Sequence, residues 1–331
     1  MFNINPIFKD MKLFFDEPSH KYTDNFGNEY KSATTLLHDY KPEFKRDYWL
    51  TKKAKELGIS KARLEKQWED IKNEACTRGT NTHNGLEDGI KNNSLFYNAV
   101  KHTRKKNDTS MITVADLDDI NSYIKPLDIK DFKESTDNKY PQIYDVFEYY
   151  IDRDYKIYSE IGVFLPQVLV SGTIDVLIVR EDKMIVGDWK TNRGGLKFTS
   201  GYYKKDKTEK PFQETDVWVE KKDFLLPPVS HLPECNGSIY NLQLSLYAFM
   251  VEWILGIPNV GLWLCHIDSD FVLNKYGMPK RFNDGFHLRT NPKEITTFYK
   301  MKYLKQEIYN ILEDRRRIVD ASRVRSKDLF S

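Results

Sequence analysis

Two β-branched runs constrain this chain more than anything else in its 331 residues: 173–179 (TIDVLIV) and 184–189 (MIVGDW), separated by Arg180, Glu181, Asp182 and Lys183. Runs this apolar read as strands buried on both faces, and so short a connection makes them a hairpin. With the loop centred between Glu181 and Asp182, Asp175 falls opposite Asp188 and Thr173 opposite Lys190. Directly opposed residues have Cα atoms about 4.5–5.5 Å apart and side chains on one face. Lys190, two residues beyond Asp188, shares that face. The expectation is two carboxylates and an ammonium together at one end of two apolar strands. A one-residue slip in register would separate them.

Two carboxylates held across a strand pair repel, which disfavours ionising both. A hard divalent cation bound through oxygen removes that repulsion. Mg²⁺ or Mn²⁺ held in this way, as one ion or two, lowers the pKa of bound water and stabilises charge on a phosphoryl oxygen. Lys190 supplies a further positive charge beside the attacking water and the phosphate. The plain alternative is a surface hairpin with an Asp–Lys ion pair. It fits poorly with Ile174, Val176, Ile178, Ile185 and Val186, which mark the strands as buried.

Around these runs the sequence reads as a mixed α/β core of helix, three strands, helix and strand. Residues 10–37 read as a hairpin turning at 25–28, then a short helix capped by Ser32; residues 40–49 read as a polar connector. Ser60 caps a helix over 61–73 that resumes or continues over 79–90. Residues 144–150 read as helix and 156–165 as strand, and Ser238 as the cap of an apolar helix to about residue 255, closed by Gly256 and Pro258. A strand over 260–267 and an amphipathic helix over 294–319 end the pattern. The division expected is an N-terminal hairpin and helical extension, 1–59, packed on a domain over 60–331. Insertions are expected at 91–140, with basic Lys101, Arg104, Lys105 and Lys106, and at 191–237.

Composition narrows the classes. Lys and Arg number 51 against 49 Asp and Glu, a formal charge of +2, which excludes a polybasic binder but not a local basic groove. The chain contains no apolar run long enough for a membrane span, and MFNINPIFKDMK lacks the pattern of a secretory leader. A soluble, intracellular protein is therefore expected. Cys76, Cys235 and Cys265 lie far apart without a CxxC pair, and read as free thiols, not a disulfide framework or zinc site. Three thiols are also one short of an iron–sulfur cluster.

Three further positions could complete a site. His83 follows Gly79 by one helical turn, and Gly79 permits close helix–sheet packing. Glu160 lies on the strand before the hairpin, on a face with Tyr158, Gly162 and Phe164. Gln243 and Tyr247 are an i, i+4 pair on a helix that is apolar nearly all round. A buried Gln must be hydrogen-bonded, so Gln243 holds Lys190, a phosphate or a backbone group.

Taken in order, Gly79-x-x-x-His83, Gly172-x-x-Asp175, Gly187-Asp188-Trp189-Lys190 and Gln243-x-x-x-Tyr247 resemble the RecB-like branch of the PD-(D/E)XK nuclease superfamily. That branch includes CRISPR-associated and mitochondrial genome maintenance exonucleases, with lambda exonuclease a distant cousin. The resemblance spans roughly residues 75–270, and the stretch from Leu225 to Gln243 is similar to phage-encoded members. It implies a restriction-endonuclease-like core and a metal-dependent DNA exonuclease. His83, Asp175, Asp188 and the Trp189 carbonyl would bind the metal, and Lys190 would orient the water. Glu160 would be the acidic residue of the preceding strand, while Gln243, Tyr247 and Thr191 would hold substrate. Asp188 stands where many relatives have Glu. The implied partners are single-stranded DNA or duplex ends, with replication or recombination proteins, in the host cytoplasm if phage-encoded. Aromatic residues (14%) and Lys-bearing connectors at 40–53, 101–106 and 197–210 could grip a strand. A structure-specific endonuclease, an inactive nucleic-acid-binding protein and a hydrolase of another phosphate ester remain as alternatives. No GxxxxGK[ST] sequence is present, so no helicase motor is expected.

Overall fold

The β-branched runs form the centre of a mixed sheet in the computed structural model, which describes residues 2–97, 100, 104–117 and 127–328. Lys101, with the rest of 101–103, lies outside the described residues. The three central antiparallel strands are β4 (Lys156–Leu165), β5 (Val170–Arg180) and β6 (Lys183–Lys190). The β5–β6 hairpin pairs Arg180 with Lys183 and continues in the expected register to Val176 opposite Gly187. Beyond β6, β9 (Asn259–Ser269) adds in parallel, and β12 (Glu294–Met301) adds antiparallel to β9. A meander of β1 (Leu13–Asp16), β2 (Lys21–Asp24) and β3 (Glu29–Ser32) joins β5 through a short parallel pairing of Lys31 with Val170 and Ser32 with Ser171.

β3 and β6 both lie on the side of β5 away from β4, one at each end. Residues 172–174 of β5 are therefore left with pairing from β4 alone, and the sheet forks beside them. The β4 pairing also skips a step, running from Ser159–Val176 to Ile161–Ile174 without joining Glu160 to Asp175. Glu160 has φ 49°, in the left-handed region, at a cost of about 1–3 kcal/mol for a residue with a Cβ. Both strands change phase here. Tyr158 and Leu177 face one apolar layer before the break, and Ile161 and Ile174 face that same layer after it. Asp175 thus sits where regular pairing fails on both of its sides.

Helices cover both faces. On one lie α1 (Ala33–His38), α6 (Asn236–Leu255) and α7 (Lys305–Asp328), through Leu36, Leu246, Met250 and Ile308. On the other lie the C-terminal turns of α3 (Lys61–Asn92), with α4 (Ile129–Ser135) and α5 (Pro141–Ile151), through Leu86, Ile90, Phe132 and Phe147 against Trp189. Each such side chain, fully buried, contributes about 1.5–3 kcal/mol. Ser32 and Ser60 cap α1 and α3 by accepting from the amides of Thr35 and Arg63, and Gly256 ends α6 at φ 68°. Among the described residues no helix is long and apolar enough to cross a membrane.

Four expectations are corrected. Residues 294–301 are the edge strand β12: Ile295, Thr296, Thr297, Phe298 and Tyr299 are β-branched or aromatic, and the open edge of β9 gives them a partner. Helix begins only at Lys305. The 191–237 connector contains a hairpin, β7 (Gly201–Asp206) with β8 (Gln213–Glu220). The 40–49 connector runs into α2 (Arg46–Leu57), which buries Leu50 and Ala54 against Leu64 of α3. Ser238 is not a cap: α6 begins two residues earlier, with Cys235 at its N-cap and no side-chain hydrogen bond there.

Gly187 sits where β6 passes beneath an aromatic ring, since a Cβ there would meet Trp263 Cζ2 at 2.3 Å. Gly187→Ala should therefore cost about 1–3 kcal/mol by overpacking. Urea denaturation measures this, and an unchanged midpoint would mean that Trp263 does not rest on this glycine.

Candidate active site

The fork in the sheet exposes one end of Asp175 and fixes the other. Its carboxylate Oδ2 accepts from the Trp189 amide at 3.1 Å, replacing the ladder bond that β5 and β6 no longer make. Its carbonyl accepts from Ser159 Oγ at 2.8 Å on the other flank. The α3 helix crosses above with a polar stripe at four-residue spacing, His83, Glu87 and Lys91. It approaches closely because Gly79 has no side chain: a Cβ there would stand 3.0 Å from Thr191 Oγ1.

One ligand atom each of His83, Glu87 and Asp175 lie within 4.8 Å of one another, a cluster able to hold a metal ion. His83 Nδ1 is 3.6 Å from Glu87 Oε1 and 3.5 Å from Asp175 Oδ2. The three line a cleft of about 380 Å³ with Gly79, Thr80, Asn84, Glu160 and Thr173. Two carboxylates and an imidazole suit a divalent cation that prefers oxygen and nitrogen over sulfur. The cysteines do not gather: Cys76 is exposed, Cys235 half-buried and Cys265 buried.

The neighbouring strand carries a second pair of charges. Asp188 is 1% exposed, and neither of its oxygens has a hydrogen-bond partner in good geometry; its contact is an ion pair, with Lys190 Nζ 2.5 Å from Oδ2. Burial pushes the Asp188 carboxyl up to about 7, with Asp175 adding to the rise and Lys190 opposing it. For Lys190, burial disfavours the ammonium, but Asp188 and Asp175 outweigh it and hold its pKa above the ordinary value. Its charge also lies over the Tyr240 ring, 4.9 Å from the centroid. A buried carboxylate with so few partners is costly in itself and suited to receiving a cation.

On the opposite flank, Glu87 and Glu160 share a hydrogen bond. Burial raises Glu87, and the bond to Glu160 adds to the rise. Glu160 is lowered despite burial, because Glu87 donates to it and Lys91 pairs with it. For His83 burial opposes the charged form, but Glu87, Asp175 and Asp188 overcome it and raise the pKa.

The remaining expected residues surround this centre. Gln243 donates to the Tyr247 hydroxyl at 3.3 Å, and the Tyr247 ring fills the space where a Cβ on Gly172 would be, 2.6 Å from Cε1. Thr191 presents its carbonyl to Arg78 NH2 at 2.5 Å. Thr173 Oγ1 lies 3.2 Å from the Tyr22 hydroxyl, beyond the end of the β5–β6 ladder, so it does not pair with Lys190. The Trp189 side chain is fully buried against Phe147 and Trp263. Glu87 and Lys91 escaped sequence reading, although their spacing from His83 was the available signal. No protein-family model matches the chain, and no curated protein matches it.

A protonated His83 cannot bind metal. Since its pKa lies above 6.5, metal must displace a proton at lower pH, and affinity rises with pH until the ring is neutral. Mn²⁺ should raise the melting temperature of the wild type more at about pH 8 than at about pH 6, by the linkage of ligand binding to stability. Asp175→Asn and Glu87→Gln should lose most of that rise. A shift independent of pH and of both substitutions would remove this cluster as the site.

Proposed function

We propose that this protein is a divalent-metal-dependent DNA nuclease of the RecB-like PD-(D/E)XK type, hydrolysing phosphodiester bonds from strand ends. What supports this reading above all is the fork beside Asp175, which puts a ligating carboxylate within reach of His83 on one side and of the Asp188–Lys190 pair on the other. A metal cluster alone fits many hydrolases. A buried lysine paired two residues along its strand from a buried aspartate, next to that cluster, fits attack on a phosphate diester.

His83, Glu87, Asp175 and Asp188 would hold Mg²⁺ or Mn²⁺, which when bound supplies positive charge for water ionisation and for a phosphoryl oxygen. The protein's own groups do the rest. Asp188, itself buried, fixes the Lys190 ammonium at 2.5 Å, and the partly buried Lys190 charge acts on a phosphate with reduced screening by water. Water attacks phosphorus in line as the bond to the leaving oxygen breaks, and Lys190 stabilises the charge that gathers on the non-bridging oxygens. Tyr247 and Gln243 support β5 at Gly172, and Lys91 restrains Glu160 at the cleft wall.

The test offers linear and closed-circular DNA, single- and double-stranded and end-labelled, with Mg²⁺ or Mn²⁺. Linear substrates should be shortened from an end and circles left intact. Asp188→Asn and Lys190→Ala should each lower the rate by about 10²–10³ or more, the scale of losing one preorganised charge. Nicked circles would make it an endonuclease, and retarded DNA without cleavage would make it a binding protein. Full activity in both variants would sink the mechanism.

A further inference from the structure

Beside the cleft lies a group of arginines that the hydrolytic machinery does not use. Arg78 precedes Gly79 on α3, donates from NH1 to Ser269 Oγ at 2.7 Å and from NH2 to the Thr191 carbonyl, and lies 5.5 Å from the Phe271 centroid. Its Nε is buried without a partner. Arg193, two residues beyond Thr191, lies 3.6 Å from the Phe286 centroid, and Phe286 packs edge-on to Phe271 at 6.3 Å. Two guanidinium groups thus rest on one pair of rings. Arg281 belongs to the same short β-ribbon as Phe286 and pairs with it. Gln213 of β8 pins the ribbon by accepting from the Arg281 amide at 2.9 Å and donating to its carbonyl at 2.7 Å.

Nearby cations have acidic partners: Arg289 with Asp270 at 3.5 Å, and Lys275 with Asp206 at 2.9 Å. Among the described residues, Arg78, Arg193 and Arg281 have no ion pair. Arg193 is held below its ordinary pKa by loss of solvation and by repulsion from Arg281 and Arg78, against the pull of Glu214 and Glu74. Arginines gathered without an ion pair, two of them over aromatic rings, are costly to bring together and suit bidentate recognition of phosphate oxygens. They begin where the cleft ends, since Gly79 lines the cleft and Thr191 follows Lys190.

We infer that Arg193 and Arg281, beside the Phe271–Phe286 pair on which Arg78 also rests, form a subsite for the backbone phosphates of the nucleic-acid strand that runs through the cleft. This rests on the nuclease reading for the identity of the ligand. Because the ring faces are occupied by guanidinium groups, the subsite grips phosphate without stacking bases, and so it is indifferent to sequence.

The test measures binding of a fluorescein-labelled oligodeoxythymidine by anisotropy, in EDTA and over a range of KCl concentration. Each of Arg193→Ala and Arg281→Ala should weaken binding by about tenfold and reduce the slope of log K against log salt by about 0.7, one single-strand phosphate contact. Arg193→Lys should keep the slope, since it keeps the charge. Lys183→Ala, at the far end of the β5–β6 hairpin, is the control for diffuse electrostatics and should change nothing. Arg78 is left intact because it ties α3 to β9. Unchanged slopes in both alanine variants, an equal loss in Lys183→Ala, or no binding by the wild type would each overturn the subsite. EDTA removes hydrolysis from the measurement, so a chain that binds through these arginines yet cuts nothing refutes the nuclease reading alone.

Discussion

The amide of Trp189 bonding to the carboxylate of Asp175 is the contact on which the site depends. In an unbroken hairpin that amide would meet a backbone carbonyl, and the Asp175 side chain would point away from the sheet plane. Here the ladder stops at Val176 and Gly187, and the carboxylate takes up the orphaned donor. The same oxygen, Oδ2, that accepts from Trp189 lies 3.5 Å from His83 Nδ1. The left-handed Glu160 on the other flank is part of the same break, because both strands must change phase for the apolar residues on either side to remain in the core. The cost of that irregularity, about 1–3 kcal/mol at Glu160, is small beside the burial of the flanking strands.

Around this break the chain gathers charge in two sets: the Asp188–Lys190 pair on β6, and Glu87, Glu160, Lys91 and His83 at the cleft. In the first pair, burial works against both charges, and Asp188 together with Asp175 keeps Lys190 an ammonium. In the cleft set, burial raises Glu87 while Lys91 pairs with Glu160 and helps to hold it below its ordinary value. Both arrangements are those of a site short of positive charge. Arg78 does not relieve it, because it spends its terminal nitrogens on Thr191 and Ser269.

The hairpin register was legible in the sequence because two apolar runs with a short polar loop admit few pairings. The caps at Ser32 and Ser60 and the left-handed Gly256 were legible for local reasons too: each needs only its own turn. The strand over 294–301 was not, since its partner edge lies some thirty positions back in β9, and amphipathic pattern alone cannot distinguish it from the first turns of the helix that follows. The same holds for the β7–β8 hairpin, whose strands are mostly polar and exposed and carry no apolar alternation. Glu87 was missed because a charge on an amphipathic helix reads as solvated until something is known to pack over it.

By itself the sequence determined which residues are chemically capable of the work: His83, Asp175, Asp188 and Lys190 all stand on elements whose local pattern is strong. Only the tertiary structure decided which of their neighbours take part. The fork between β3 and β6 arises from long-range pairing of β3 at one end of β5 against the local hairpin with β6 at the other, and the approach of α3 arises from packing against that sheet. The β3 pairing and the α3 contacts join segments far apart in the chain, so no local rule of helix or strand could place Glu87 beside Asp175 or rest Arg78 on Phe271. Periodicity fixes which way a side chain faces along its own element; which other element it then faces is settled by the packing of the whole core.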